Sequence, residues 1–351
     1  MTIERPAGKL RSGRRATIKD VAAAAAVSVV TVSRVVNTPD RVQADTRERV
    51  VVAMRQLGYS INVAARSMRT HSTRSIGFLT PQLSSPTNSA VAQACERALA
   101  EAGYALLVTS SDYQPAREAA ALDLLRSRGV DGIVLYVSDE SHAGLARGLA
   151  GVDVPLVVLD RKLRVTADLV LSEHASAMQE AVRRLAGLGH QRLTLVQYAQ
   201  RVRPMVERAR SFRKAAAAAG LQHASVVGLP RVYGCEPTLP ENLFVGPLAP
   251  TALLVQGALL LRVVLQGLRK LGLKVPKDRS VIGIDTLAVS SLTTPETTTI
   301  TRDFSAVGRM AADMMLRRLA DRALPPQTVT LPSWIEWKGS CAVAPPDPGM
   351  R

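Results

Sequence analysis

The stretch Ala16–Asn37 reads ATIKDVAAAAAVSVVTVSRVVN. Its pattern predicts two short helices with a tight bend between them. Val21, Ala22 and Ala25 fall on one face of the first. Ser28 stands where an N-cap belongs, since its hydroxyl can accept from a free backbone N–H at a new helix start. Val32, Val35 and Val36 follow at the three- and four-residue spacing of a buried stripe. Thr31, Ser33 and Arg34 are left facing outward. This is a helix-turn-helix with a polar, basic second helix, a shape that enters a DNA major groove. Taken alone, the same pattern also suits an ordinary helical hairpin inside a core.

Charge favours the first reading. The chain has 351 residues and a formal net charge of +16, with a pI near 10.5. Residues 1–74 hold 14 Lys and Arg against 5 Asp and Glu, a net of +9 in about a fifth of the length. A positive footprint concentrated around a helix-turn-helix is what phosphate binding needs. Part of the excess reflects a chain rich in Arg and Ala throughout. An apolar fraction of 47% is enough for sizeable cores, and the length suggests two or three domains. Three cysteines, Cys95, Cys235 and Cys341, are far apart and form neither a metal-ligand spacing nor a disulfide framework, which suits a cytoplasmic protein. No secretory signal or membrane-length apolar run is present. Residues 1–15 read as a disordered basic arm.

Downstream of Asn37, Asp45 and Thr46 are placed to cap a third helix over 46–57. Val50, Met54 and Leu57 would close a three-helix core, and Gly58 would stop the helix. Residues 61–70 are good helix formers but too few to be helical unaided, because nucleation is costly below roughly 12–15 residues. The segment could order only on a partner, or serve as a plain linker. From Ser75 onward the pattern becomes alternating apolar strands and amphipathic helices: strands at 76–79, 105–109, 130–137, 155–159, 167–171, 192–197, 252–255 and 281–285, with helices between them. Such alternation means parallel sheets with helices on both faces. About 270 residues of it point to two α/β subdomains. Ligands in such folds bind beyond the carboxyl ends of strands. Several strands end in polar groups, at Thr109–Asp112, Asp160-Arg161, Ser172-Glu173 and Asp285, and as a set they are expected to share a cleft.

These residues resemble the LacI/GalR family of bacterial transcriptional regulators. The resemblance is carried by Thr17–Ala22, Val27-Ser28, Thr31–Asn37, Thr46–Val50, Leu57–Tyr59 and Asn62–Arg69. It continues more loosely through Ala102–Tyr104, Val130–Ile133, Leu188–His190 and Gly272–Pro276 to about residue 343. It implies a small all-α helix-turn-helix headpiece (16–60), a hinge helix and linker (61–74), and an effector-binding, dimerising core (75–343) built like a periplasmic binding protein, with a tail at 344–351. The core would comprise two doubly wound parallel-sheet subdomains, one of about 75–160 plus 292–323, the other of about 161–291 plus 324–343. It further implies a homodimer or tetramer, near-palindromic double-stranded DNA as partner, and a small, sugar-like effector. By position, Val29, Val30 and Arg34 would read bases, and Thr17, Thr31, Ser33 and Asn37 would contact phosphates. Met68, with Ala65 and Arg66 in the same hinge, would wedge the minor groove. Asp112, Asp160, Arg161, Glu173, Arg208 and Asp285 would form the effector site.

Three positions depart from the family pattern. The bend between the first two helices has Ala25-Ala26-Val27 where Gly is usual. The family's sugar-recognising Asn-Asp pair reads Gly257-Ala258, and its Asn-Pro-Phe-Phe stretch reads Ser85-Pro86-Thr87-Asn88. Glycine and alanine cannot grip sugar hydroxyls, and two aromatic platforms are replaced. A DNA-binding protein whose core only dimerises therefore stays open; a sugar-binding or transport protein is a further reading, against which the headpiece and the missing signal sequence argue. No catalytic constellation, metal site or cofactor fingerprint is found, and an enzyme is not expected.

Overall fold

The computed structural model describes residues 16–59, 72–231 and 235–346. The chain divides into two compact units, Met1–Thr73 and Arg74–Arg351.

In the first unit, helices α1 (Ile18–Ala24), α2 (Val29–Asn37) and α3 (Ala44–Gln56) pack around Val21, Ala22, Ala25, Val32, Val35, Val50 and Ala53. Thr17 and Asp20 form a capping box on α1: the Asp20 N–H donates to Thr17 Oγ1 and the Thr17 N–H donates to Asp20 Oδ2. Ser28 caps α2 as expected, its Oγ accepting from the Thr31 N–H at 3.0 Å. The bend carries Ala26 at φ 52°, a left-handed conformation that favours glycine and costs alanine about 1 kcal/mol. The third helix differs from expectation at its start. Its N-cap is Gln43, with no side-chain cap bond, and Asp45 lies within the first turn, 3.5 Å from Arg49. There Asp45 complements the positive helix end without capping it. Gly58, at φ 58°, ends the helix.

The second unit contains two six-stranded sheets. The first has the order β11-β5-β4-β3-β1-β2, all parallel: β1 (Ser75–Thr80), β2 (Ala105–Ser110), β3 (Gly132–Leu135), β4 (Leu156–Leu159), β5 (Asp168–Ser172) and β11 (Thr328–Leu331). The second has the order β12-β10-β9-β8-β6-β7: β6 (Arg192–Tyr198), β7 (His223–Leu229), β8 (Ala252–Gln256), β9 (Ser280–Ile284), β10 (Thr298–Arg302) and β12 (Ser333–Glu336), parallel but for the β10–β12 pair. Interior strands such as β3, β4 and β9 are buried on both faces, hence their continuous apolar runs.

Helices α4 (Pro86–Glu101), α5 (Pro115–Ser127), α6 (Ala143–Ala150) and α11 (Phe304–Ala320) belong to the first lobe. Helices α7 (Ala175–Gly187), α8 (Arg203–Ala218) and α9 (Gly257–Lys270) belong to the second; a short α10 (Leu287–Ser290) follows β9. Helix α11 lies close on α4: a Cβ on Gly308 would meet the Val91 carbonyl oxygen at 2.3 Å.

The lobes are divided differently from the expected boundaries. Strand β5 joins the first sheet, where the expected second subdomain begins at 161. Of the 292–323 expected in the first subdomain, strand β10 joins the second sheet and helix Phe304–Ala320 the first lobe. Of the last stretch, β11 returns to the first sheet and β12 to the second. The chain therefore crosses between lobes three times, after Ser172, after Arg302 and after Leu331. Register explains the first crossing: β5 pairs with β4 from Val157↔Asp168 onward and can do so only in that sheet. Asp168 is further held by a two-pronged contact from Arg318 at the end of α11, at 2.8 and 3.0 Å.

Candidate functional site

Two sites follow from this architecture, one in each unit. On the headpiece, the pattern that buries Val32 and Val35 turns the start of α2 outward. Val29 is 40% and Val30 58% exposed, and Arg34 is exposed beside them. Val29 and Val30 lie side by side at the helix start and are open to a partner. Ser28 fixes where this face begins. Its Oγ also lies 2.9 Å from Thr31 Oγ1, so Thr31 is oriented before any partner arrives. The Thr17 hydroxyl is engaged with Asp20 in the same way. Ser33 lies half-buried on α2, and Asn37 is its last residue. Ala65, Arg66 and Met68 lie outside the described residues.

In the core, the carboxyl ends of strands from both sheets face a cleft of about 520 Å³. Asp160, directly after β4, and Asp285, directly after β9, both adopt left-handed backbone, at φ 50° and 56°. Such strained non-glycine positions concentrate at functional sites. Arg208 on α8 is buried and donates from Nη2 to Asp285 Oδ2 at 2.5 Å. Arg161 also lines the cleft. Its Nε donates to the Val137 carbonyl at 2.7 Å, and its guanidinium lies 4.6 Å from the centre of the Tyr136 ring.

Asp160 sits beneath the lining rather than in it. It accepts from Arg302 Nη1, from Arg203 Nη1 at 2.7 Å and from the Ser172 N–H at 3.0 Å, with His174 Nε2 at 3.2 Å. Burial alone would raise its carboxyl, but Arg302 and His174 outweigh burial and hold it well below the ordinary carboxylate value. Burial pushes the other way on Asp285 too, and Arg302 and Arg208 keep it lowered. Arg302, the last residue of β10, thus touches a carboxylate from each lobe: Asp160, and Asp285 at 3.6 Å. Arg203 adds a second tie from α8 to the first lobe, donating also to the Ser172 carbonyl at 3.0 Å.

Two expected effector residues are placed elsewhere. Glu173 caps α7, accepting from the Ser176 N–H at 3.1 Å and from the Ser176 hydroxyl, and is not part of the cleft lining. The cap satisfies free N–H groups at a helix start and uses the carboxylate up. Asp112 is paired with Arg117 and lines a neighbouring depression instead.

The structure also adds residues that sequence reasoning did not single out. Tyr113, Tyr136, Tyr198 and Phe304 line the cleft, so aromatic surface is present although Ser85–Asn88 supplies none. Arg302 sits in a threonine-rich strand with no signal of its own. Arg231 follows β7, where the 22-residue connection to β8 carries, among its described residues, a single 3₁₀ turn, Glu241–Leu243. Gly257 lies in the lining at φ 76° with open space around its missing side chain. Among the described residues there is no cluster of His, Cys, Asp and Glu fit for a metal ion, and no helix long and apolar enough to cross a membrane.

Known proteins match both units. Residues 17–62 match the model of bacterial regulatory proteins of the lacI family, and 182–341 match a periplasmic binding protein-like domain. The HTH-type transcriptional regulator reg1 of Streptomyces lividans is 31% identical over 344 residues, covering 95% of this chain and 98% of that protein. The HTH-type transcriptional regulator DegA of Bacillus subtilis (strain 168) is 29% identical over 298 residues, covering 84% and 88%. The crystal structure of the lac repressor dimer bound to operator and the anti-inducer ONPF superposes with a TM-score of 0.80 at 25% identity, covering 94% of this chain and all of that one. A headpiece with an exposed second helix, a two-lobed core with a cleft, and relatives matched over nearly their whole length together establish that this chain belongs to the LacI family of bacterial transcriptional regulators.

Proposed function

We propose that the protein acts as a homodimer on near-palindromic double-stranded DNA, probing base edges with the start of α2, and that a small metabolite held in the core cleft alters its grip. The observation that carries the DNA half is the open face of α2: Val29, Val30 and Arg34 outward, over a buried Val32 and Val35. Arg34 is suited to guanine O6 and N7, a contact worth roughly 1–3 kcal/mol of discrimination. Val29 and Val30 can pack only on thymine methyl groups. Thr17, Thr31, Ser33 and Asn37 are assigned to phosphates, which fix register without reading sequence. Met68, flanked by Ala65 and Arg66, is assigned the minor-groove wedge on the strength of family resemblance.

The cleft supports the effector half. A cavity of about 520 Å³ with a buried Arg208–Asp285 pair and four aromatic rings is a binding site in size and lining. This favours a ligand-responsive regulator over a core that only dimerises. Solved relatives carry such ligands: one is a cellobiose complex of the regulator CelR, at 24% identity and TM-score 0.64. Exposed Leu107 and Val108 on edge strand β2 support pairing of two copies.

The test is selection of full-length protein on randomised duplexes, followed by titration of the recovered sequence. An inverted repeat bound by a dimer is the expected result. In that duplex, Arg34→Ala relaxes preference at one symmetric position. A monomer indifferent to inverted repeats would overturn the proposal.

A further inference from the structure

The cleft has more positive charge than its own carboxylates neutralise. Four arginines line it, Arg161, Arg208, Arg231 and Arg302, against one lining carboxylate, Asp285. Arg208 is taken by Asp285, and Arg302 by Asp160 beneath the floor. Nearby acids are also committed: Asp112 to Arg117, and Glu236 to Arg262. Among the described residues, no carboxylate comes within ion-pair distance of Arg161 or Arg231. Asp160, Glu118 and Glu140 feel the charge of Arg161, but none of them lines the cleft.

The geometry of these two cations matters as much as their number. The Arg231 guanidinium lies against two rings, 3.9 Å from the centre of Tyr113 and 3.5 Å from that of Tyr198. Tyr113 comes from the first lobe and Tyr198 from the second. Ring contact of this kind engages the plane of the group and leaves N–H donors for a ligand. Among the described residues, Arg231 Nε and the Tyr198 hydroxyl are buried without a hydrogen-bond partner. The other hydrogen bond seen there for Arg231 is a long one, 3.5 Å from Nη1 to Gln82 Oε1. Arg161 spends Nε on the Val137 carbonyl and Nη1 on the Asp160 carbonyl. Leaving buried donors and cations unmatched is costly, and an oxyanion would answer both.

We infer that the effector is a small polyhydroxylated acid, whose carboxylate or phosphate is received by Arg231 and Arg161 while Gln82, Asn88 and Gln256 face its hydroxyls. This rests on the reading of the cleft as an effector site. It differs from a neutral-sugar site, whose hydroxyls can accept from a guanidinium but bring no charge to offset two of them. It is also consistent with Gly257-Ala258, because recognition then rests on the two arginines and not on that pair.

The test uses full-length protein in buffer free of phosphate and sulfate, with thermal shift and calorimetric titration. Probes are D-glucose, D-galactose and D-ribose; gluconate, glucuronate and galacturonate; and glucose 6-phosphate and ribose 5-phosphate. Acetate, sulfate and inorganic phosphate serve as plain ions. The expected result is stabilisation by at least one acid well beyond its neutral parent and beyond the plain ions. Whether sugar carboxylates or sugar phosphates respond identifies the anion. Arg231→Gln then weakens that acid by about tenfold or more, Arg231→Lys by less, and Arg309→Gln on the outer face of α11 not at all. Arg161→Gln serves as a second variant if Arg231→Gln does not fold. Binding of the neutral sugars alone would overturn the inference and leave the effector cleft standing. Plain ions acting as well as the sugar acids would overturn it too. Silence from every probe, with operator binding intact, would overturn it and count against the effector reading as well.

Discussion

Arg302, at the end of β10 in the second lobe, donates to Asp160, at the end of β4 in the first. The same guanidinium lies 3.6 Å from Asp285. Burial works against its charge, but Asp285 and Asp160 hold it protonated with its pKa raised. One side chain thus joins the strand ends of both sheets at the floor of the cleft.

Asp160→Asn keeps the shape and removes the charge. Arg302 and Arg203 are then left buried with less compensation, and breaking a buried pair by removing one partner is expensive. The expected loss is about 3 kcal/mol of core stability, read from denaturant midpoints. A change within error would mean that the cations are solvated in place.

Gly308→Ala tests the contact of α11 on α4. The added methyl meets backbone at Val91, which cannot rotate away. The expected cost is about 1–3 kcal/mol, as for other overpacked cores. Gly187→Ala, at the end of α7 with nothing within 4 Å, is expected to be neutral or slightly stabilising. Equal midpoints for the two variants would contradict the packing.

Gly257 permits a different substitution. Its left-handed backbone suits asparagine, and its missing side chain points into open space. Gly257→Asn is expected to stay within about 1 kcal/mol of the parent. Gly257→Val, β-branched at positive φ, is expected to cost about 2 kcal/mol. Thermal melts of both variants decide this.

Acid should destabilise the core through its buried histidines, against a smaller opposing contribution from Glu118 and Glu140, both raised by burial. Burial lowers His174, which Arg208 reinforces although Asp160 opposes it, and burial lowers His190, which contacts Thr251, Ser280 and the Ala342 carbonyl. Both are thus harder to protonate folded than unfolded, where the ordinary value is 6.5. The unfolded chain binds more protons below that value, so stability is full above pH 6.5 and falls as pH drops through the folded pKa values. Calorimetric melts from pH 7.5 to pH 5 should show a falling midpoint. A flat or rising profile would remove the assignment of neutral histidines.

The headpiece was legible because local rules suffice there: Ser28 is a good cap, and the valine spacing defines a face. The interior strands were legible as apolar runs. Strand β7 was not, since half-exposed His223–Leu229 lies at a sheet edge and contains Gly228. Strand β10 was hidden by composition: Thr298, Thr299 and Thr301 are buried threonines that read as loop. Of the proposed effector residues, Arg161, Arg208 and Asp285 line the cleft, with Asp160 beneath it. Asp112 and Glu173 carried the same strand-end signal but are spent on Arg117 and on the start of α7. Arg231 could not have been found by pattern. Its place depends on a long irregular connection and on two tyrosines distant in sequence.

The three passages of the chain between lobes bear on how the molecule is made. The first sheet gains its outer strand only when residue 331 is available, and the second only at residue 336. A ribosome must therefore deliver the chain through residue 331 before the first half is complete and through residue 336 before the second is. A premature stop anywhere upstream of Trp334 deprives at least one sheet of its flank, so shortened products should be cleared by proteases rather than persist as isolated headpiece-bearing fragments with a working sensor.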